Sequence, residues 1–139
     1  MEDAAERVTA LMAGGSGSLM EKMGIEWLEA SGKRCVAKVP VDGNTQPYGL
    51  FHGGASAVLA ETLASVGAWL VDTSKVTMGI EIKVNHLRPA SKGWVTGVAT
   101  PLHIGRTIQV WEIRLSDDEG QTTAFSTCTI AVREPREGQ

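Results

Sequence analysis

The chain has 139 residues, 42% of them hydrophobic and 21% charged, which suits one globular domain with a core of its own. Its formal charge of -3, from 13 basic and 16 acidic residues, argues against a general nucleic-acid binder, whose phosphate contacts need Lys and Arg in excess on one face. The two cysteines, Cys35 and Cys128, lie far apart and without metal-ligand spacing, so neither a disulfide framework nor a zinc site is indicated.

The first residues, MEDAAERVTALMAGG, are acidic where a secretory signal would be basic, and no run of about 18 apolar residues free of charge occurs elsewhere. A soluble, cytoplasmic protein without a membrane partner is expected. Residues 4–12 read as a short helix, GGSGS (14–18) as a break and LMEKM as one more helical turn, so that residues 1–23 make a helical cap. GIEWLEA and KRCVAKVPV (33–41) alternate around Ser31-Gly32 as a hairpin should. The stretch from about Gly53 to Val71 is too long for a buried strand and reads as a helix. VTMGIEIKVNHL then changes to period two, with Met78, Ile80, Ile82, Val84 and His86 on one face and Glu81, Lys83 and Asn85 on the other. Ala-Ser-Lys-Gly at 90–93 turns the chain back. GWVTGVATPLHI, TIQVWEIRLS and QTTAFSTCTIAV are three further strands, the last two joined by Asp117-Asp118-Glu119-Gly120. The reading is one α+β domain over 1–139: a long helix between strands, an antiparallel meander, and a charged tail at 134–139 that is expected to fray.

Between Gly54 and Val71 the one ionisable side chain is Glu61, set among Ala, Val, Leu, Gly, Trp69 and the hydroxyls Ser56, Thr62 and Ser65. A helix apolar all round is a buried helix, and a carboxylate buried without a partner costs several kcal/mol or is forced toward its neutral form. Such an acid either pairs with a base, points into a solvent gap, or does chemistry. Ser65, one turn on, is placed to orient the carboxylate or a water. At the other end, His52-Gly53-Gly54 sets two residues without side chains where the unpaired N–H groups of the helix emerge. Those groups and the positive end of the dipole suit an oxygen gaining negative charge; a tight entry turn is the plainer use of the glycines, and capping the plainer use of His52. Gly53 and Glu61 are eight residues apart, about 12 Å along a helix, whereas a reacting carbonyl must lie about 3 Å from both donor and attacking group. If both serve one reaction, Gly53 of one copy must face Glu61 of a second, two-fold-related copy in an obligate dimer.

With HGGASAVLAETLAS, NHLRPA and PLHIGRTIQVWEI in place, the chain resembles the hotdog-fold acyl-CoA thioesterases of the branch that holds the 4-hydroxybenzoyl-CoA, 1,4-dihydroxy-2-naphthoyl-CoA and PaaI-like enzymes. The resemblance implies an antiparallel β-sheet wrapped around one long central helix, and a homodimer with a continuous sheet, usually paired into a homotetramer. It implies that Glu61 attacks the thioester or activates water, that the Gly53 N–H and Gln46 hold the carbonyl oxygen, that His52 lies beside it and that Ser65 positions the water. No metal or resident cofactor is implied; coenzyme A enters as part of the substrate, an acyl-CoA or aryl-CoA ester. Cationic and hydrogen-bonding residues that suit its phosphates are His86 and Arg88 and the turn His103, Gly105, Arg106 and Thr107, for which a solvated strand end and a hairpin are the plainer reading. The acyl pocket is expected from Leu50, Phe51, Val66 and Trp69. The competing readings are a hotdog dehydratase of 3-hydroxyacyl thioesters, against which the His-Gly-Gly entry counts, and a non-catalytic acyl-CoA-binding module, which leaves the acid unexplained.

Overall fold

The computed structural model describes residues 3, 6, 8, 10 and 18–138. The helix expected over 4–12 and the break at 14–18 fall largely outside them; residues 6, 8 and 10 are helical, and Val8 is buried in the core. Helix α1 (Leu19–Met23) starts where the Ser18 hydroxyl accepts from the Glu21 N–H, and ends at Gly24, whose φ of 80° turns its N–H back onto the carbonyls of Met20 and Glu21. Strands β1 (Glu26–Ala30) and β2 (Cys35–Pro40) form the expected hairpin, with the Ser31 hydroxyl accepting from the N–H groups of Lys33 and Arg34 in the turn. Helix α2 runs over Gly53–Val71, as its composition predicts. It is followed by β3 (Val76–His86), β4 (Trp94–Ile104), β5 (Ile108–Ser116) and β6 (Thr122–Arg133).

The six strands form one antiparallel sheet in the order β1-β2-β4-β5-β6-β3, curved round α2. Two expectations are corrected here. The segment at 90–93 does reverse the chain, but β3 and β4 are not neighbours: β3 lies at the far edge beside β6, while β4 enters the middle between β2 and β5. The strict alternation of β3 is also broken. A bulge between Gly79 and Glu81 sets Gly79, Ile82, Val84 and His86 opposite the buried Ile130, Cys128, Ser126 and Ala124 of β6, so Met78 and Ile80 do not share the inner face and are 56% and 59% exposed. An extra residue in a strand flips everything before it, which a period count over the whole stretch cannot register.

Residues Ala55, Ser56, Leu59, Ala60, Leu63, Ala64, Val66, Gly67 and Ala68 of α2 are buried against the sheet. They pack on the inward residues of β2, β4, β5 and β6, among them Val39, Val95, Trp111, Ile113, Leu115 and Ile130, all fully buried. Small helix residues let the sheet approach closely: a Cβ at Gly67 would lie 2.6 Å from the Trp111 ring. The Trp111 Nε1–H donates to Gln109 Oε1 at 2.8 Å, and Gln109 Nε2 donates to the Ala68 carbonyl at 3.4 Å, so this buried contact is tied by hydrogen bonds to the helix itself. Although α2 is long and apolar enough to cross a membrane, half of that apolar window is buried inside the fold, which makes it the core helix of a soluble-type domain. Burial all round, expected from composition, is not what the single chain shows. The sheet covers one side, and the face carrying Val58, Glu61, Thr62 and Ser65 looks outward.

Candidate active site

The start of α2 is held by the segment before it. The Phe51 N–H donates to the Ala90 carbonyl and the His52 N–H to the Asn44 carbonyl, while the Asn44 amide donates to the carbonyls of Met23 and Pro40. His52 is the N-cap: its Nδ1 accepts from the Gly54 N–H at 2.8 Å, which places the ring proton on Nε2. The N–H groups of Ala55 and Ser56 both go to the His52 carbonyl. Of the orphan donors at this helix end, the Gly53 N–H is therefore the one with no protein acceptor among the described residues. Gly53 has no room for a side chain, since a Cβ would meet His86 Cε1 at 2.9 Å. The His86 imidazole thus lies on the helix entrance, and capping by His52 leaves one donor open beside it.

Gln46 joins this group. Its Oε1 accepts from the Tyr48 N–H at 2.6 Å inside a turn closed by Gly49 N–H to Gln46 carbonyl and Gln46 N–H to Leu50 carbonyl, so the side-chain NH2 is the part left to donate outward. A cavity of about 420 Å³ is lined by Gln46, Leu50, Phe51, Gly53, His86 and Arg88, with Ser56 and Thr123. The Thr123 hydroxyl is buried and has no hydrogen-bond partner among the described residues. Sequence reasoning missed Ser56 and Thr123 as lining residues. A Thr in a strand carries no local sign that its neighbour across the fold is a helix N-terminus.

Glu61 and Ser65 line a different cavity of about 320 Å³, together with Leu19, Met20, Val58, Thr62 and Val66. Glu61 is exposed in the single chain and makes no hydrogen bond or ion pair among the described residues. It is thus not locked to a base, and the burial expected for it is not provided by one chain. Its charge is felt behind it: burial first, and Glu61 second, push the Cys128 thiol from 9.0 up to about 11. Leu19 and Met20 had no sequence signal, because their contact with α2 is made by folding.

Of the residues expected at the acyl group, Leu50 and Phe51 line the Gly53 cavity, Val66 lines the Glu61 cavity and Trp69 lines neither. The residues expected at the phosphates are also divided. His86 is opposite Ala124 on β6, whereas Gly105, Arg106 and Thr107 form the turn before Ile108, which is opposite Ala131. Those two β6 positions are seven residues apart, about 23 Å, so His86 with Arg88 and the turn with His103 sit at opposite ends of the sheet.

A curved antiparallel sheet closed on one helix, with an open amide at the helix start and an unpaired acid at its middle, defines a hotdog domain equipped for chemistry at an acyl carbon. The profile of the Thioesterase superfamily matches residues 48–124. The proofreading thioesterase EntH of Cronobacter turicensis is 44% identical over 125 residues, 88% of this chain and 91% of that protein. The 1,4-dihydroxy-2-naphthoyl-CoA hydrolase of Escherichia coli K12 is 41% identical over 125 residues, 88% of this chain and 92% of that one. The crystal structure of the thioesterase HI1161 from Haemophilus influenzae matches with a TM-score of 0.90 at 34% identity, covering 100% of this chain and 97% of that one. The chain belongs to the thioesterase superfamily and is a thioester hydrolase of the hotdog fold.

Proposed function

We propose that the protein hydrolyses an acyl-CoA or aryl-CoA thioester to the free acid and coenzyme A, at a site assembled from two copies of the chain. The observation that carries this reading is the division of labour along α2. The Gly53 amide and the Glu61 carboxylate, both without a partner among the described residues, lie about 12 Å apart along the helix and face separate cavities. Two antiparallel copies of α2 would set each amide against the other copy's acid. The unpaired edge of β3, with exposed Met78 and Ile80, supports a homodimer joined along that edge, and a pair of such dimers would make the homotetramer. Both cysteines are buried free thiols, in keeping with a cytoplasmic protein.

In this reaction the thioester oxygen accepts from the Gly53 N–H and the Gln46 amide, with the Nε2–H of His52 and the His86 ring beside it. Glu61 of the second copy attacks the carbonyl carbon, the C–S bond breaks, and the thiolate leaves and takes a proton from solvent. Water then cleaves the anhydride and restores the carboxylate. On the alternative route Glu61 removes a proton from a water that attacks directly, and Ser65, one turn on, holds that water. The acyl group occupies the apolar cavity beside Glu61, between Met20, Val58 and Val66. Arg88 of one copy and the His103–Thr107 turn of the other are the groups for the phosphates of coenzyme A.

The test is Glu61→Gln, which keeps size and removes the charge. Thiol release from a panel of aryl- and acyl-CoA esters should fall by about 100-fold or more, while ligand binding and folding persist. Wild-type turnover in Glu61→Gln would end this reading. In a single turnover in oxygen-18 water, label appearing in Glu61 establishes the anhydride route, because the general-base route puts label only into the product acid.

A further inference from the structure

We propose that Gly79, in the bulge of the edge strand β3, is the seat that positions the Glu61 carboxylate for its attack. The inference rests on the catalytic reading of Glu61 given above. Gly79 faces inward opposite the buried Ile130, and the register of β3 slips immediately after it. A Cβ built there would lie 2.7 Å from Glu61 Oε1, 3.6 Å from its Cδ and 3.9 Å from its Cγ, and these are the three nearest atoms. The acid therefore occupies the space that any side chain at 79 would take. Backbone conformation does not demand the glycine, because its φ is not among the positive ones. What the missing side chain supplies is room for the carboxylate.

Room matters because no hydrogen bond or ion pair among the described residues fixes this acid. The helix sets only the Cα–Cβ direction of Glu61, leaving three torsions. Resting on the strand backbone removes one side of that freedom and turns the carboxylate edge toward the cavity it shares with Ser65 and Thr62. Cys128, on the strand next to β3, has its thiol raised by burial first and by the Glu61 charge second, and that second influence agrees with a carboxylate folded back onto the sheet. The bulge serves this placement by bringing a residue without a side chain to the inner face where regular alternation would set Ile80.

Gly79→Ala is the test. Ordinary contact needs about 3.5 Å, so the added methyl must displace Oε1 by roughly 0.8 Å, and the atom that yields is the end of a movable side chain. The fold should be indifferent, with thermal midpoint and oligomeric size unchanged, while kcat falls about 10- to 100-fold and KM moves less than about twofold. In a Glu61→Asp background the acid is one methylene shorter and no longer reaches the seat, so adding Gly79→Ala should cost no further activity. Wild-type kcat in Gly79→Ala, equal losses in both backgrounds, or failure of Gly79→Ala to fold or assemble would each overturn the proposal. If Glu61→Gln itself keeps full turnover, it is the catalytic reading that fails, and the positioning role goes with it.

Discussion

Gly67→Ala tests the packing that holds α2, and with it both functional ends, against the sheet. The added methyl would stand 2.6 Å from Trp111 Cη2 and 2.8 Å from Cζ3, where carbon atoms rest at about 3.5–4.0 Å. Ring or helix must give by about 1 Å. Trp111 is fully buried, and its Nε1–H is tied to Gln109, which is tied in turn to Ala68 on the same helix. Overpacking of this kind costs about 1–3 kcal/mol, and straining the Trp111–Gln109–Ala68 bonds adds about 1 kcal/mol. Better helix propensity returns about 1 kcal/mol. The net is a destabilisation of about 1–3 kcal/mol, read as a lower urea midpoint at unchanged slope and fixed protein concentration. Thiol release should fall as well, since a helix pushed off the sheet carries Gly53 and Glu61 with it. Replacing Trp111 by Phe in the same chain should relieve much of the added cost. Stability equal to or above wild type in Gly67→Ala would show that the ring does not wedge the helix, and the reasoning would fail.

Filling the Glu61 cavity should discriminate among substrates. Met20→Trp is expected to lower kcat/KM for bulky aryl-CoA esters about tenfold or more while sparing acetyl-CoA; a uniform loss across the panel would separate Met20 from the acyl group. Base should weaken the fold through its thiols. Burial foremost pushes Cys35 up, with a smaller push from Glu29, and Cys128 up, with a smaller push from Glu61, each from 9.0 to about 11. In the unfolded chain they ionise first, so their contribution is whole below pH 9 and is lost as pH rises from 9 to about 11. The urea midpoint should accordingly fall less steeply over that range in Cys35→Ala and Cys128→Ala than in wild type, and parallel curves would contradict the assignment.

What the sequence determined by itself is what depends on neighbours along the chain. The length and apolar run of α2, the lone acid within it, the open glycine start and the existence of the strands all follow from spacing and turn chemistry, and the structure has each of them, although the period of β3 is interrupted. The eight-residue interval between Gly53 and Glu61 already separated donor from acid by more than one carbonyl can bridge, and they do face different cavities. Tertiary structure decided the rest. Turn residues at 90–93 say that the chain reverses, not which strand it will meet, so the edge position of β3 was hidden. The bulge at Gly79 was equally silent, since one inserted residue leaves composition unchanged and alters which side chains face the helix. Composition made α2 look buried on every side; the sheet can curve round only part of it, and the acid stands on the part left uncovered. Leu19, Met20, His86 and Thr123 reach their cavities through contacts between elements distant in the chain, and such contacts are set by how whole faces fit, which no local pattern records.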